Sequence, residues 1–258
     1  MATPCVAGAK QTVLVTGAAG RTGRLVYEAL LSRPEQFSAR GLVRTAESKA
    51  ALGNGDNLFV GDVSSNSSAL EEALRGCDAL IILTSATPKM VAPPKPGERP
   101  EFVYPAGGLP EQVDWHGQKA QVDAARALGV KKVVVVGSRG GTDPNNMLNR
   151  IGGEGSNILV WKRKSEKYLV DSGLDYTIIR AGGLLDKPGR VRQLVIGSDD
   201  ADLGFRAVPR ADVAEMAIQA LLCKEASGCS LDLVSKEEGD GAPTADFAAL
   251  FATAKRGM

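Results

Sequence analysis

The stretch that most narrows what this chain can fold into lies near its start. Thr12-Val13-Leu14-Val15-Thr16 runs directly into Gly17-Ala18-Ala19-Gly20-Arg21-Thr22-Gly23. Five residues rich in β-branched side chains read as a buried strand, and the apolar spacing of residues 24–31 reads as a helix. Strand, glycine turn and helix form the first unit of a dinucleotide-binding fold. In it a pyrophosphate rests on the helix N-terminus, where unpaired N–H groups and the helix dipole favour an anion. Gly17 is expected to make the tight turn, Gly20 to admit the backbone to phosphate oxygens, and Gly23 to let helix and strand pack closely. Ala18, Ala19, Arg21 and Thr22 complete the expected cradle. The spacing is Gly-x-x-Gly-x-x-Gly rather than Gly-x-Gly-x-x-Gly, and its position after an apolar strand gives it weight.

Apolar β-rich runs then alternate with helical patterns, which signals βαβ units and a parallel sheet. Strands are expected at residues 39–44, 57–62, 79–84, 132–138, 176–180 and 230–234. Helices are expected at 67–75, 111–128, 157–172, 210–222 and 244–255. Residues 85–110 carry seven prolines and no period, so a long loop spanning 85–110 is expected over the carboxyl edge of the sheet, where it could act as a lid. The fold class is α/β: a doubly wound, mostly parallel sheet, one domain over residues 1–258, with a small C-terminal substrate lobe from about residue 183.

The chain's 258 residues carry a formal net charge of +1, which gives no field that would draw it to nucleic acid. No run of about 18 apolar residues occurs, so no membrane partner is expected. His116 is the only histidine and Cys5, Cys77, Cys223 and Cys229 are scattered, which leaves no metal site and suggests reduced structural thiols. With no signal or transit pattern at the N-terminus, a cytoplasmic protein is expected. A monomer or a homodimer is compatible with this length.

The second strand ends on Arg44, about twenty residues past the glycine turn, with no acidic residue before it in the strand. An acidic residue there holds the ribose 2′-hydroxyl of NAD, whereas arginine suits the 2′-phosphate of NADP. The expected cofactor is therefore NADP(H). Asp62, ending the third strand, is a candidate acceptor for the adenine amino group.

With these residues in view, the chain resembles the atypical short-chain dehydrogenase/reductase family, Rossmann proteins that include the NmrA-like regulators. The resemblance rests on Thr16-Gly17-x-x-Gly20-x-x-Gly23, Arg44, Gly61-Asp62, Leu83-Thr84-Ser85, Gly137-Ser138, Thr177-Ile178-Ile179-Arg180-Ala181-Gly182-Gly183 and Arg210-Ala211-Asp212-Val213-Ala214. Finer matches at residues 110–115, 117–119 and 159–164 resemble a plant NADP-binding subgroup that includes the sanguinarine (benzophenanthridine alkaloid) reductases. The resemblance implies a Rossmann fold and NADP(H) held by Val63, Leu83, Thr84, Ser85, Lys162, Ala181 and Gly182 besides the glycine turn. It also implies reduction of a small electrophilic compound, a quinone, carbonyl or iminium ion.

The Tyr-x-x-x-Lys pair of ordinary short-chain dehydrogenases is absent. Tyr27, Tyr104, Tyr168 and Tyr176 are followed four residues on by Leu31, Gly108, Ser172 and Arg180. Reduction of an iminium carbon needs no such acid, since hydride addition neutralises the cation. In the subgroup's pattern the catalytic residues fall on Ser138, Asp143 and Lys162. Arg139 stands where related sequences tend to have Met, adding a charge that would oppose a cationic substrate. The other reading of the resemblance is an NADP(H)-binding redox sensor without turnover.

Overall fold

The computed structural model describes residues 9–65, 68–94, 97, 100–153 and 155–257. The first half runs β1 (Gln11–Thr16), α1 (Arg21–Leu31), β2 (Phe37–Val43), α2 (Ala46–Ala51), β3 (Leu58–Val60), α3 (Ser68–Leu74) and β4 (Ala79–Ile82). Then come β5 (Lys89–Met90), β6 (Phe102–Val103) and a π-helical segment (Glu111–Gly117) that continues as α4 (Gln118–Ala127). The second half runs β7 (Lys132–Ser138), α5 (Ile158–Asp171), β8 (Asp175–Ala181), β9 (Gly183–Leu185), β10 (Leu194–Gly197) and β11 (Ala207–Pro209). It closes with α6 (Arg210–Leu222), β12 (Cys229–Ser235) and α7 (Phe247–Ala252).

The main sheet has eight strands in the order β10-β12-β8-β7-β4-β1-β2-β3. Every neighbouring pair is parallel except β10 with β12 at one edge. Parallel strands are covered by helices on both faces, which is why Val13, Leu14 and Val15 are all fully buried rather than alternately so. Two apolar clusters lie on the two faces. One joins α1, α6 and α7 to the sheet through Val26, Leu30, Ile218 and Phe251. The other joins α3, α4 and α5 through Leu74, Val122 and Leu169.

The α/β class and the mostly parallel sheet match the expectation, and α6 starts and ends where the sequence places it. The differences are short elements. Within residues 85–110, β5 and β6 pair as a two-stranded antiparallel hairpin, and β9 and β11 make a separate parallel pair beyond β8. Strands of two or three residues bury too little to leave a period. The 111–128 helix opens with a π segment, an uncommon geometry often found at functional sites. The helix expected at 67–75 is observed as α3, with residue 67 outside the described residues. Cys77 and Cys229 are free and buried, but Cys223 takes part in a disulfide, against the expectation of reduced thiols throughout. Cys5 lies outside the described residues.

Candidate cofactor and substrate site

Strand order reverses on either side of β1, where β1 pairs with β2 on one side and β4 on the other. Ligands in open α/β sheets bind outside the carboxyl ends of strands at such a switch point. There the structure has a cleft of about 480 Å³ lined by Gly17, Ala19, Gly20, Arg44, Thr45, Ser48, Asp62, Val63, Leu83, Thr84 and Ser85, with Thr87, Lys89, Pro105 and Gly108 toward the hairpin side.

The glycine turn has the shape a dinucleotide requires. Gly17 sits at φ +69, and a Cβ on it would lie 2.9 Å from the carbonyl carbon and oxygen of Leu83. A Cβ on Gly23 would lie 2.1 Å from the Gly17 carbonyl oxygen, so only glycine lets α1 pack this close to the turn. Ala18 is fully buried and its N–H donates to Leu42 at 3.3 Å. Arg44 is exposed at the cleft beside Thr45, which caps α2 by accepting from the Ser48 N–H at 3.2 Å. Asp62 accepts from the Ser64 N–H and hydroxyl at 2.9 and 2.7 Å, which fixes its carboxylate at the rim. Beside the turn, Arg21 and Arg210 both pair with Asp186, Arg210 at 3.0 Å, while Thr22 Oγ1 accepts from Arg210 at 3.4 Å. An NADP(H) dinucleotide fits this donor set: backbone N–H groups at the turn for the pyrophosphate, and Arg44, Thr45 and Ser48 for a ribose phosphate.

Lys162 lies behind Ser85, outside the lining of the cleft. It is 7 % exposed, and its ammonium donates to Asp114 Oδ1 at 2.7 Å and to Ser85 Oγ at 3.0 Å. Asp114, on the π segment, is fully buried and also accepts from the Ala86 N–H at 2.9 Å. One carboxylate therefore ties α5 to the loop after β4. Alongside, Thr16 donates to Gln121 Oε1 at 2.6 Å, and Gln121 donates to Thr84 Oγ1 at 3.1 Å and the Gly117 carbonyl at 3.0 Å. Asp114 and Gln121 went unassigned in the sequence, because nothing local reveals that they meet Lys162 and Thr16 across the fold.

The structure brings Gly17, Ala19, Gly20, Arg44, Asp62, Val63, Leu83, Thr84 and Ser85 to one cleft, with Ala18, Arg21, Thr22 and Gly23 of the turn outside its lining, and Lys162 reaches it through Ser85. Ser138, Asp143, Ala181 and Gly182 do not line that cleft. Ser138 pairs with Ala181 at the ends of β7 and β8, and its hydroxyl donates to the Arg139 carbonyl at 3.1 Å. Gly182 donates to the Leu233 carbonyl at 2.9 Å. Asp143 is exposed and accepts from the Asn145 N–H at 2.9 Å, closing a turn with Pro144.

A dense ionic cluster lies beyond β7. Arg180 donates to Glu166 at 2.9 Å with both side chains 1 % exposed, and Arg163 approaches Glu166 at 3.5 Å. Burial pushes the Glu166 carboxyl up, against the pull of Arg180 and Arg163. Arg139 approaches Asp232 at 3.7 Å and donates to the carbonyls of Ala201 at 2.7 Å and Phe205 at 3.5 Å. Asp200 accepts from the N–H groups of Gly140 and Thr142 and from the Thr142 hydroxyl at 2.6, 2.8 and 2.7 Å. Burial alone would raise Asp200, but these donors and Arg163 hold it below the ordinary carboxylate range.

Fold and cleft together define a Rossmann-type dinucleotide-binding protein, and comparison places it. The chain belongs to the NAD(P)H-binding family, whose model matches residues 17–224. It is 49% identical to the sanguinarine reductase of Eschscholzia californica over 94% of this chain and 95% of that protein. It is 57% identical to an uncharacterised chloroplastic protein of Arabidopsis thaliana over 93% of this chain and 74% of that protein. A second chloroplastic Arabidopsis protein is 32% identical over 94% of this chain and 82% of its own length. Among solved structures, a Rossmann-fold NAD(P)-binding family protein from Shigella flexneri aligns at TM-score 0.63 and 20% identity, covering 91% of this chain and 96% of its own. A short-chain dehydrogenase/reductase from Veillonella parvula in complex with NADP aligns at TM-score 0.63 and 14% identity, covering 91% and 99%. These structural likenesses concern the fold. The chloroplastic relatives overturn the expectation of a cytoplasmic protein and point to the plastid. The sequence argument failed there because it rested on not recognising a targeting segment.

Proposed function

We propose that this protein is an NADPH-dependent reductase of a small electrophilic compound, with NADPH held across the switch-point cleft. The observation that carries the reading is the buried Lys162–Asp114–Ser85 constellation at that cleft, in a chain 49% identical to a sanguinarine reductase along nearly its whole length. When bound, the reduced nicotinamide supplies a hydride. The chain's own residues bind and orient: the glycine turn takes the pyrophosphate, Arg44 the 2′-phosphate, and Lys162 the nicotinamide ribose. Ser138 and Asp143, at and beyond the end of β7, are proposed to meet the substrate, with β9 and β11 forming part of the small lobe on that side.

The charge that Arg139 adds does not argue against a cationic substrate. Its side chain is 17% exposed and is occupied by Asp232 and two backbone carbonyls, so its positive charge is compensated rather than presented. An iminium ion therefore stays within the proposed class, with quinones and carbonyls. A sensor without turnover is the less favoured reading, because binding alone requires no buried ammonium–carboxylate pair at the cleft.

The test is the loss of dihydronicotinamide absorbance with NADPH, and separately NADH, against quinones, aromatic aldehydes and the iminium alkaloid sanguinarine. Turnover that prefers NADPH is the expected result. Tight NADPH binding by calorimetry with no turnover across the panel would transfer the assignment to the sensor.

A further inference from the structure

The missing Tyr-x-x-x-Lys pair leaves open how an oxygen could be protonated here, and a tyrosine arrives from elsewhere. Tyr104 directly follows β6 and is carried by the β5–β6 hairpin. Two observations locate it. Its chain neighbour Pro105, with Gly108, lines the cofactor cleft. Its ring edge lies against Gly152, so close that a Cβ there would stand 2.4 Å from Cε2 and 2.5 Å from Cδ2. Gly152 belongs to the connection between β7, which ends on Ser138, and α5, which carries Lys162. Burial, and after it the charge of Asp114, hold the Tyr104 hydroxyl above its ordinary pKa. Tyr104 therefore stands between the hairpin-side residues that line the cofactor cleft and the β7–α5 loop.

We infer that Tyr104, delivered by the hairpin to the junction of the cofactor cleft and the β7–α5 loop, is the proton donor for carbonyl substrates of this site. The inference rests on the reductase reading above. Hydride addition to a carbonyl carbon, at the expense of the reduced nicotinamide, moves the C=O π electrons onto oxygen. The Tyr104 hydroxyl gives that oxygen its proton. The products are the alcohol, the oxidised cofactor and a phenolate that water reprotonates. A phenol held above its ordinary pKa stays protonated at neutral pH, yet it is still a far stronger acid than an alcohol and so protonates a nascent alkoxide. An iminium carbon needs no such proton, so one enzyme would treat the two substrate classes differently. A sequence search for a tyrosine four residues before a lysine cannot find this donor, because it lies 58 residues before Lys162 (162 less 104) and on another element.

The deciding variant is Tyr104→Phe, which removes the hydroxyl and keeps the ring against Gly152. Wild type and variant are assayed with NADPH against aromatic aldehydes and against sanguinarine, and NADPH affinity is measured by calorimetry. Positioned general acids contribute roughly 10²–10⁴-fold. The expected result is a fall in aldehyde kcat of about 100-fold or more, with sanguinarine turnover within about twofold and NADPH affinity unchanged. The wild-type aldehyde reaction should also slow in heavy water, and the variant's residual rate should not. Equal losses on both substrates, no loss on aldehydes, weakened NADPH binding, or a wild type that reduces iminium but no carbonyl would each overturn the assignment of Tyr104. A wild type that binds NADPH and reduces neither class would overturn the reductase reading, and the Tyr104 role with it. If carbonyls alone are reduced, a solvent isotope effect lost in the variant supports the assignment, and one that persists overturns it.

Discussion

The two halves of the sheet's carboxyl edge solve opposite problems. Around β1, β2 and β4, side chains are pared away: Gly17 and Gly23 leave backbone against backbone, and alanines fill the turn between them. Around β7, β8 and β12, charged side chains crowd in, with Arg139, Arg163, Arg180, Glu166, Asp200 and Asp232 in one network. An invariant-shaped ligand such as a dinucleotide can be held by main chain and a few fixed groups. The loops beyond β7 and β8 are instead held in place by ion pairs and carboxylate hydrogen bonds.

The contrast is sharpest at Gly23. Gly23→Ala forces a Cβ onto the Gly17 carbonyl, and the neighbour that must yield is backbone. We expect a loss of about 3 kcal/mol in urea unfolding, the upper end for overpacking, and no measurable NADPH heat in calorimetry. Unchanged NADPH affinity would show that the turn is not the pyrophosphate cradle.

In the ionic half, Arg180→Met strands Glu166 with Arg163 alone. Removing one partner of a buried pair costs roughly 3 kcal/mol, while replacing both by apolar groups of similar volume is often near neutral. Denaturant unfolding of Arg180→Met and of Arg180→Met with Glu166→Met should show the double variant recovering much of the loss. If instead the two losses add, the pair is not the energetic unit.

Arg44→Ala tests whether the cofactor half also uses charge at its rim. A hydrogen bond to a charged group is worth about 1.5–3 kcal/mol, so NADPH affinity should fall by roughly 10- to 100-fold while NADH affinity barely moves. Equal effects on the two cofactors would remove Arg44 from the 2′-phosphate.

The smallest effect is expected at Asp200. Its folded-state pKa is depressed, so its stabilising contribution is present above the ordinary carboxylate value, near 3.9, and disappears as pH falls through the folded value. Asp200→Asn should be about 1 kcal/mol less stable than wild type at pH 7, and the gap should close toward pH 3. A gap that stays constant across that range would mean that the carboxylate charge plays no part in holding the loop of residues 139–142.

The same division explains what could be read in the sequence. The glycine turn, Arg44 and the 132–138 strand announce themselves because their signals are local: residue type, spacing and a buried run. The hairpin of β5 and β6 and the pair of β9 and β11 are too short to carry a period and exist through pairing with distant residues. Asp114 stood within a quoted motif without a role because its partner, Lys162, is 48 residues away. Asp143, assigned from resemblance, accepts from Asn145 in a local turn outside the lining of the cofactor cleft, a place that its neighbours in sequence do not announce.

The π segment at Glu111–Gly117 carries a consequence for chain length. Such a segment accommodates a residue that an α-helix would not, so deleting one residue within it would let α4 run on in ordinary geometry without touching the sheet. Each residue of an α-helix accounts for about 100° of rotation. That deletion would swing the chain ahead of α4 to a new bearing, taking Pro105 and Gly108 away from the cofactor cleft and Asp114 out of register with Lys162. The one extra residue of this segment is thus what keeps the hairpin side and the carboxylate partner of Lys162 in a common register.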